Sequence, residues 1–96
     1  MHVISKKKLK DFWEQHPESK KPLEAWFKIV RVGRYHAFHE LKRTFAKADK
    51  VGDKVVFDIG GNKYRLVAVI HFNRFKLYVR YVLTNHEYDK GDWKHG

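Results

Sequence analysis

The chain has 96 residues, a length that fits a single domain over residues 1–96. Lys and Arg number 21 against 11 Asp and Glu, and the net charge of +10 points to a polyanionic partner, either nucleic acid or an acidic protein. Aromatic residues make up 16%, too many for a disordered basic tail, and the absence of cysteine excludes a disulfide framework, a thiolate zinc site and a cysteine nucleophile. The longest apolar run, Leu66–Ile70, is too short to cross a membrane and no secretory signal is evident, so we expect a cytoplasmic protein with no membrane partner.

The first half of the chain predicts helices. After a possible short strand at residues 2–4, Ser5 is a suitable N-cap for a helix to about His16, and Ser19 for a second helix from about Lys20 to Gly33. Apolar and aromatic side chains recur at the i, i+3, i+4, i+7 spacing in both segments. They are Leu9, Phe12, Trp13 and His16 in the first helix, and Leu23, Trp26, Phe27 and Val30 in the second. Residues 38–45 allow a third, short helix, followed by a polar connection over residues 46–53.

The second half changes to the period of two that is typical of strands. Strands are predicted over residues 54–59, 62–72 and 76–84, with a hairpin turn at Gly60 and Gly61 because glycine tolerates a positive φ. Residues 85–90 are predicted to form a final helical turn. The order of elements predicts an α+β domain in which two to three N-terminal helices pack on a small antiparallel sheet.

Alternation along the strands sorts their side chains onto two faces. One face is almost wholly apolar, and we expect it to form the core; it reads Val55, Phe57, Ile59, Tyr64, Leu66, Ala68, Ile70, Phe72, Leu77, Val79, Tyr81 and Leu83. The opposite face carries one carboxylate, Asp58, and five cations: Lys54, Lys63, Arg65, Lys76 and Arg80. It is either an ordinary solvated face of a basic protein or a surface that binds a phosphate backbone while Tyr78 stacks on a base. The second interpretation requires Arg65 and Arg80 to lie close together, as expected near the middle of adjacent strands.

The C-terminal segment adds titratable groups at the rim of this cationic face. His86 can transfer protons near neutral pH, and Tyr88 can do so where neighbouring cations lower its pKa. The other histidines do not predict a metal site, since His36 and His39 have helical ligand spacing but no third ligand at a recognisable interval. The run Lys6–Lys8 opposes the dipole of its helix, which is a small argument for a polyanion contact there. No metal and no cofactor is expected.

The strings Val55–Val67, Lys76–Thr84 and Glu87–Lys90, together with the Phe12-Trp13 pair, resemble the HigB toxins, which are RelE-like toxins of type II toxin–antitoxin systems. The resemblance covers nearly the whole chain. It implies a small α+β fold, an mRNA interferase that acts as a metal-independent endoribonuclease on messages engaged by the ribosome, and a cognate DNA-binding antitoxin as partner. By position, Arg65, Arg80 and Tyr88 match the basic and aromatic residues that such toxins use at the phosphate. Where relatives carry Thr-His-x-Glu-Tyr, this chain has Asn85 at the histidine position, and His86 follows it.

On this interpretation the 2′-hydroxyl of RNA attacks the adjacent phosphate. The predicted catalytic residues are Arg65 and Arg80, which would stabilise the transition state, and His86 and Tyr88, whose acid and base roles the sequence does not assign. The predicted RNA-binding residues are Lys54, Lys63, Lys76 and Tyr78. The main alternative is a catalytically impaired RNA- or ribosome-binding module, the result if Asn85 has removed an essential group. A DNA-binding accessory protein and a structural subunit for an acidic partner also remain open.

Overall fold

The computed structural model describes residues 1–95, which form four α-helices, five strands and three short 3₁₀ segments. The helices are α1 (Lys6–Gln15), α2 (Lys20–Val32), α3 (Phe38–Thr44) and α4 (Asn85–Lys90). The strands are β1 (His2–Ile4), β2 (Asp49–Val51), β3 (Lys54–Ile59), β4 (Tyr64–His71) and β5 (Lys76–Thr84). The 3₁₀ segments are Pro17–Ser19, Phe72–Arg74 and Asp92–His95. In the described residues, no helix is both long enough and apolar enough to span a membrane.

The strands form one sheet in the order β1-β5-β4-β3-β2, which confirms the predicted α+β class. Strands β2 to β5 form an antiparallel meander, as predicted. The prediction of a purely antiparallel sheet is wrong, because β1 pairs in parallel with β5 and makes the sheet mixed. The segment predicted as a polar connection also contains β2, a three-residue edge strand whose sequence is too short to show alternation. Gly60 and Gly61 have φ values of 65° and 61°, as the predicted turn requires.

One face of the sheet carries α1 and α2 and encloses the main core. Leu9 and Leu23 are fully buried there, and the Trp26 ring meets the Phe57 ring edge to face at 5.3 Å. The predicted helices are confirmed, but neither predicted serine cap makes a capping hydrogen bond. The Ser19 hydroxyl instead donates to the carbonyl oxygen of His16 at 2.6 Å. Burial of the amphipathic faces therefore accounts for these helices better than their caps do.

A β-bulge in β5 changes which side chains share a face. Val67 lies opposite Tyr81 while Ala68 lies opposite Val79, so Arg80 is an extra residue with no partner on β4. Beyond the bulge, Tyr81 and Leu83 move to the face opposite the main core, and Val82 packs against the core instead. The prediction that Tyr81 and Leu83 belong to the core face is therefore wrong, because strict alternation cannot anticipate one inserted residue.

The face opposite the main core has an apolar centre of its own. Val56 and Val67 from the sheet and Trp93 from the C-terminal 3₁₀ segment are all buried in it. Tyr81 and Leu83 pack against them, so the chain after β5 folds back across the middle of this face. The cationic side chains therefore surround an apolar centre that is already covered by Trp93.

Candidate active site

Arg65 lies near the start of β4 and is held by groups on the neighbouring strand and turn. Its Nη1 donates to Asp58 Oδ1 at 2.8 Å, and Asp58 is its cross-strand partner in the β3–β4 register. Its Nη2 donates to Asn62 Oδ1 at 3.3 Å. The Asp58 and Arg65 side chains are only 10% and 18% exposed, so this charge-assisted pair is shielded from bulk water and fixes the guanidinium plane.

Tyr88 covers the Arg65 guanidinium from α4. The guanidinium carbon lies 5.5 Å from the centre of the Tyr88 ring, within the range of a cation–π contact. Helix α4 is placed by a capping box, in which Thr84 Oγ1 accepts from the Glu87 amide and Glu87 Oε1 accepts from the Thr84 amide. The sequence of these six residues therefore brings an aromatic ring back over β4.

Trp93 in turn supports Tyr88. The two rings stack at 5.1 Å with an angle of 13° between their planes, and Trp93 Nε1 donates to the Tyr88 carbonyl oxygen at 3.0 Å. Only 4% of Trp93 is exposed. The order sheet, tryptophan, tyrosine, arginine therefore connects the buried centre of this face to the guanidinium.

A cavity of about 330 Å³ opens beside Arg65 and Tyr88. Lys42 and Lys47, from the segment around α3, line it with Arg65, whereas Asp49 and Asp58 contribute negative charge. Lys47 Nζ lies 4.0 Å from Asp58 Oδ2. The remaining lining residues are Ala46, Val56, Asn62 and Tyr88. A guanidinium has five N–H donors, and its hydrogen bonds to Asp58, Asn62 and the Tyr64 carbonyl leave donors for a phosphate oxygen in this cavity.

The structure does not bring Arg80 to Arg65. In the register of β4 and β5, Arg65 lies opposite Leu83, and Arg80 is three residues further along the strand, about 10 Å at the usual strand rise. Arg80 lines a separate cavity of about 430 Å³ with Tyr78 and His71. The two arginines therefore share a sheet face but not a cavity.

The predicted RNA-binding residues are spread over the same face. Lys54 lies in β3 and is paired with Asp53 at 3.4 Å. Lys63 is exposed in the β3–β4 turn, and its carbonyl oxygen accepts from the Asn85 amide at 3.0 Å. Lys76 and Tyr78 lie at the start of β5, at the opposite end from Thr84, where the Tyr78 ring meets the His71 ring edge to face at 5.3 Å.

The geometry of α4 separates the two histidine positions considered from the sequence. With about 100° per residue, position 85 lies about 60° around the helix from Tyr88, whereas His86 lies about 160° away on the other side. His86 is exposed, and α4 runs regularly from its capping box to Gly91. No local backbone shift carries His86 into the place of Asn85, so the carboxamide side chain lies nearer to Tyr88 than the imidazole does.

Sequence reasoning missed Lys42, Lys47, Asn62 and Trp93 at this site. Lys42 and Lys47 lie where the chain had no clear period, and nothing in a single sequence shows which sheet face such a segment covers. Asn62 could have been found, because its φ of 74° continues the Gly-Gly turn beside Arg65. In the described part of the chain, no group of three or more His, Cys, Asp or Glu side chains could hold a metal ion.

Comparisons with known proteins agree with the resemblance seen in the sequence. The model of the HigB toxin family, a RelE-like toxic component of a toxin–antitoxin system, matches residues 19–91. An Escherichia coli mRNA interferase toxin HigB is 40% identical over 92 residues, which cover 93% of this chain and 88% of the relative. An mRNA interferase HigB from Shigella flexneri matches equally well, with 40% identity over 92 residues. A further Escherichia coli strain has an mRNA interferase HigB that is 28% identical over 93 residues, or 94% of this chain and 90% of the relative.

Proposed function

This chain belongs to the HigB family of RelE-like toxins, and we propose that it is an mRNA interferase that cuts RNA at the cavity beside Arg65. As a family member it is the toxic component of a toxin–antitoxin pair, so it has an antitoxin as partner. One observation carries the assignment of the site: the Arg65 guanidinium is fixed by Asp58 at 2.8 Å, covered by Tyr88 and open to a cavity on the cationic sheet face.

In the proposed reaction, the 2′-oxygen of one nucleotide forms a bond to the adjacent phosphorus and the bond from phosphorus to the 5′-oxygen breaks. The 2′-hydroxyl loses its proton and the departing 5′-oxygen gains one, so the products are a 2′,3′-cyclic phosphate and a 5′-hydroxyl. Arg65 donates hydrogen bonds to the non-bridging oxygens as negative charge develops on them. Lys42 and Lys47 add positive potential at the cavity wall.

Proton transfer is proposed for the turn that carries His86 and Tyr88. The Tyr88 ring lies against Arg65, so its hydroxyl is the nearer of the two groups to the phosphate position. His86 lies on the outer side of α4 and would reach RNA that approaches from the rim. A positioned acid or base of this kind is worth roughly 10²–10⁴-fold in rate.

The remaining cations are proposed to bind the RNA backbone along the face. Lys54 and Lys63 lie at the Arg65 end, and Lys76 with Tyr78 at the far end of β5. We further propose that the protein acts in the cytoplasm, on messages engaged by the ribosome, and that its antitoxin binds DNA. Since a 2′-hydroxyl is the nucleophile, RNA is the substrate and DNA is not.

A second function, a toxin that binds RNA or the ribosome without cutting, is favoured by one specific observation. The side chain that α4 presents beside Tyr88 is Asn85, which cannot transfer a proton near neutral pH. In this case the protein would bind RNA with strong salt dependence and leave it intact.

The two functions are separated by purified protein and end-labelled RNA. Cutting at discrete positions, blocked when the nucleotide 5′ of the cut carries a 2′-deoxy sugar, would support the interferase and its nucleophile. Arg65→Ala should abolish cutting, whereas Arg31→Ala, which removes an exposed arginine from α2 on the other side of the sheet, should not. Intact RNA that nevertheless binds, with or without added ribosomes, would contradict the catalytic proposal.

A further inference from the structure

The cavity at Arg80 is the other large opening on the sheet face that carries Arg65. Its volume is about 430 Å³, and it lies where the start of α1 passes over the bulged strand β5. The side chains that line it come from α1, the residue before it, β4 and β5: Ser5, Lys8, Val69, His71, Tyr78, Val79, Arg80 and Tyr81. The bulge places Arg80 and Tyr81, consecutive residues of one strand, in the same cavity, which regular alternation would forbid.

The charges in this cavity are not compensated. Lys8 and Arg80 are cationic and His71 becomes so on protonation, and no carboxylate lines the cavity. By contrast, Asp49 and Asp58 oppose the cations of the Arg65 cavity. Among the described residues, the Arg80 guanidinium has no hydrogen-bond or ion-pair partner, and Lys8 Nζ donates only to the Arg80 carbonyl oxygen, at 3.1 Å. Both cations are therefore available to an anion.

An aromatic surface adjoins these cations. The Tyr78 ring is half-buried and is held edge to face against the His71 ring at 5.3 Å and 82°, which fixes its orientation. A phosphate group between Lys8 and Arg80 and a base on the face of Tyr78 match the two halves of a nucleotide. Stacking on an aromatic side chain accepts any base, so this arrangement favours single-stranded nucleic acid over a duplex.

We propose that this cavity is a second nucleotide subsite, in which Lys8 and Arg80 bind a backbone phosphate of single-stranded RNA and Tyr78 stacks on its base. The proposal rests on the proposed function in placing the cut at Arg65, and it gives Arg80 a role in binding an RNA segment outside the cut rather than in the transition state. The separation of about 10 Å along β5 makes the two cavities successive stations for one strand. Lys8 and His71, which no sequence motif singled out as binding residues, thereby become part of the RNA surface.

The test uses a fluorescein-labelled 12-nucleotide RNA with 2′-O-methyl sugars, which cannot supply the attacking hydroxyl and therefore stays intact. Lys8→Ala with Arg80→Ala should weaken binding at least tenfold and lower the slope of log K against log salt by about 0.7 for each phosphate released. Lys21→Ala with Arg31→Ala removes the same charge from exposed positions of α2 and is the matched control. Tyr78→Ala should also weaken binding, whereas Tyr78→Phe, which keeps the ring, should not.

Cleavage of unmodified RNA provides a second readout. The loss in the Lys8 and Arg80 double variant should appear in KM, since the subsite binds ground state and transition state alike. A loss confined to kcat, or binding equal to that of the control pair, would overturn the proposal. If the alanine pair does not fold, Lys8→Gln with Arg80→Gln keeps the methylene stems and decides the question. A wild-type protein that binds the modified RNA through Lys8 and Arg80 but cuts no RNA would refute the catalytic proposal and leave the subsite standing.

Discussion

Replacing Asp58 by asparagine tests whether the pair with Arg65 holds the site together. The asparagine side chain keeps the shape and an oxygen acceptor but removes the negative charge. In the native protein, Asp58 Oδ1 accepts from Arg65 Nη1 at 2.8 Å and from the Asn62 amide at 2.7 Å. The substitution therefore replaces two hydrogen bonds to a carboxylate with two to a neutral carboxamide, at a site that is only 10% exposed.

The expected loss of stability follows from that exchange. A hydrogen bond to a charged group contributes about 1.5–3 kcal/mol and a neutral one about 0.5–1.5 kcal/mol. Since both partners are partly solvated and an acceptor remains, Asp58→Asn should cost about 1–2 kcal/mol. For a domain of this size that lowers Tm by roughly 5–15 °C. Cleavage should also fall at least tenfold, because the guanidinium is no longer held in one orientation.

Urea unfolding followed by tryptophan fluorescence measures the first effect, and single-turnover cleavage the second. Asp53→Asn is the control, because Asp53 also pairs with a cation, Lys54 at 3.4 Å, but is 80% exposed. That pair should be worth less than about 1 kcal/mol. If Asp58→Asn is as stable and as active as Asp53→Asn, the reasoning that Asp58 fixes Arg65 is refuted.

Further predictions concern the C-terminal turn. Trp93→Ala should destabilise the fold by about 3 kcal/mol in urea unfolding, whereas Trp93→Phe keeps a ring against Tyr88 and should retain most of the stability and activity. His86→Ala and Tyr88→Phe should each lower single-turnover kcat by roughly 10²-fold or more if they transfer protons, and the exposed His86 should do so with no change in the unfolding midpoint. Asn85→His should raise kcat, because position 85 lies nearer to Tyr88; an unchanged or lower kcat would argue against that placement.

The elements of the fold were largely predictable, because each depends on local periodicity. The apolar spacing in α1 and α2 and the alternation in β3 are properties of a few adjacent residues. Two features depend on partners elsewhere in the chain and were not predictable. The parallel pairing of β1 with β5 joins residues 2–4 to residues 76–78, and the bulge at Arg80 exists only in relation to β4.

The candidate site was predictable only in part for the same reason. Parity placed Arg65 and Asp58 on one face, and the residue types of the C-terminal turn pointed to Tyr88. The contribution of Trp93 was not visible, since its burial depends on the chain folding back over Val67. The separation of Arg80 from Arg65 follows from the bulge, which shifts the register by one residue.

The most direct test of the central claim is induced expression in bacteria of the wild type and of Arg65→Ala, with growth recorded and cut ends mapped on cellular mRNA. The wild type should arrest growth and leave discrete cuts. Arg65→Ala should do neither while remaining folded by circular dichroism, and Arg31→Ala should behave as the wild type does. A folded Arg65→Ala protein that still cuts mRNA would contradict the assignment of the active site to the Arg65 cavity.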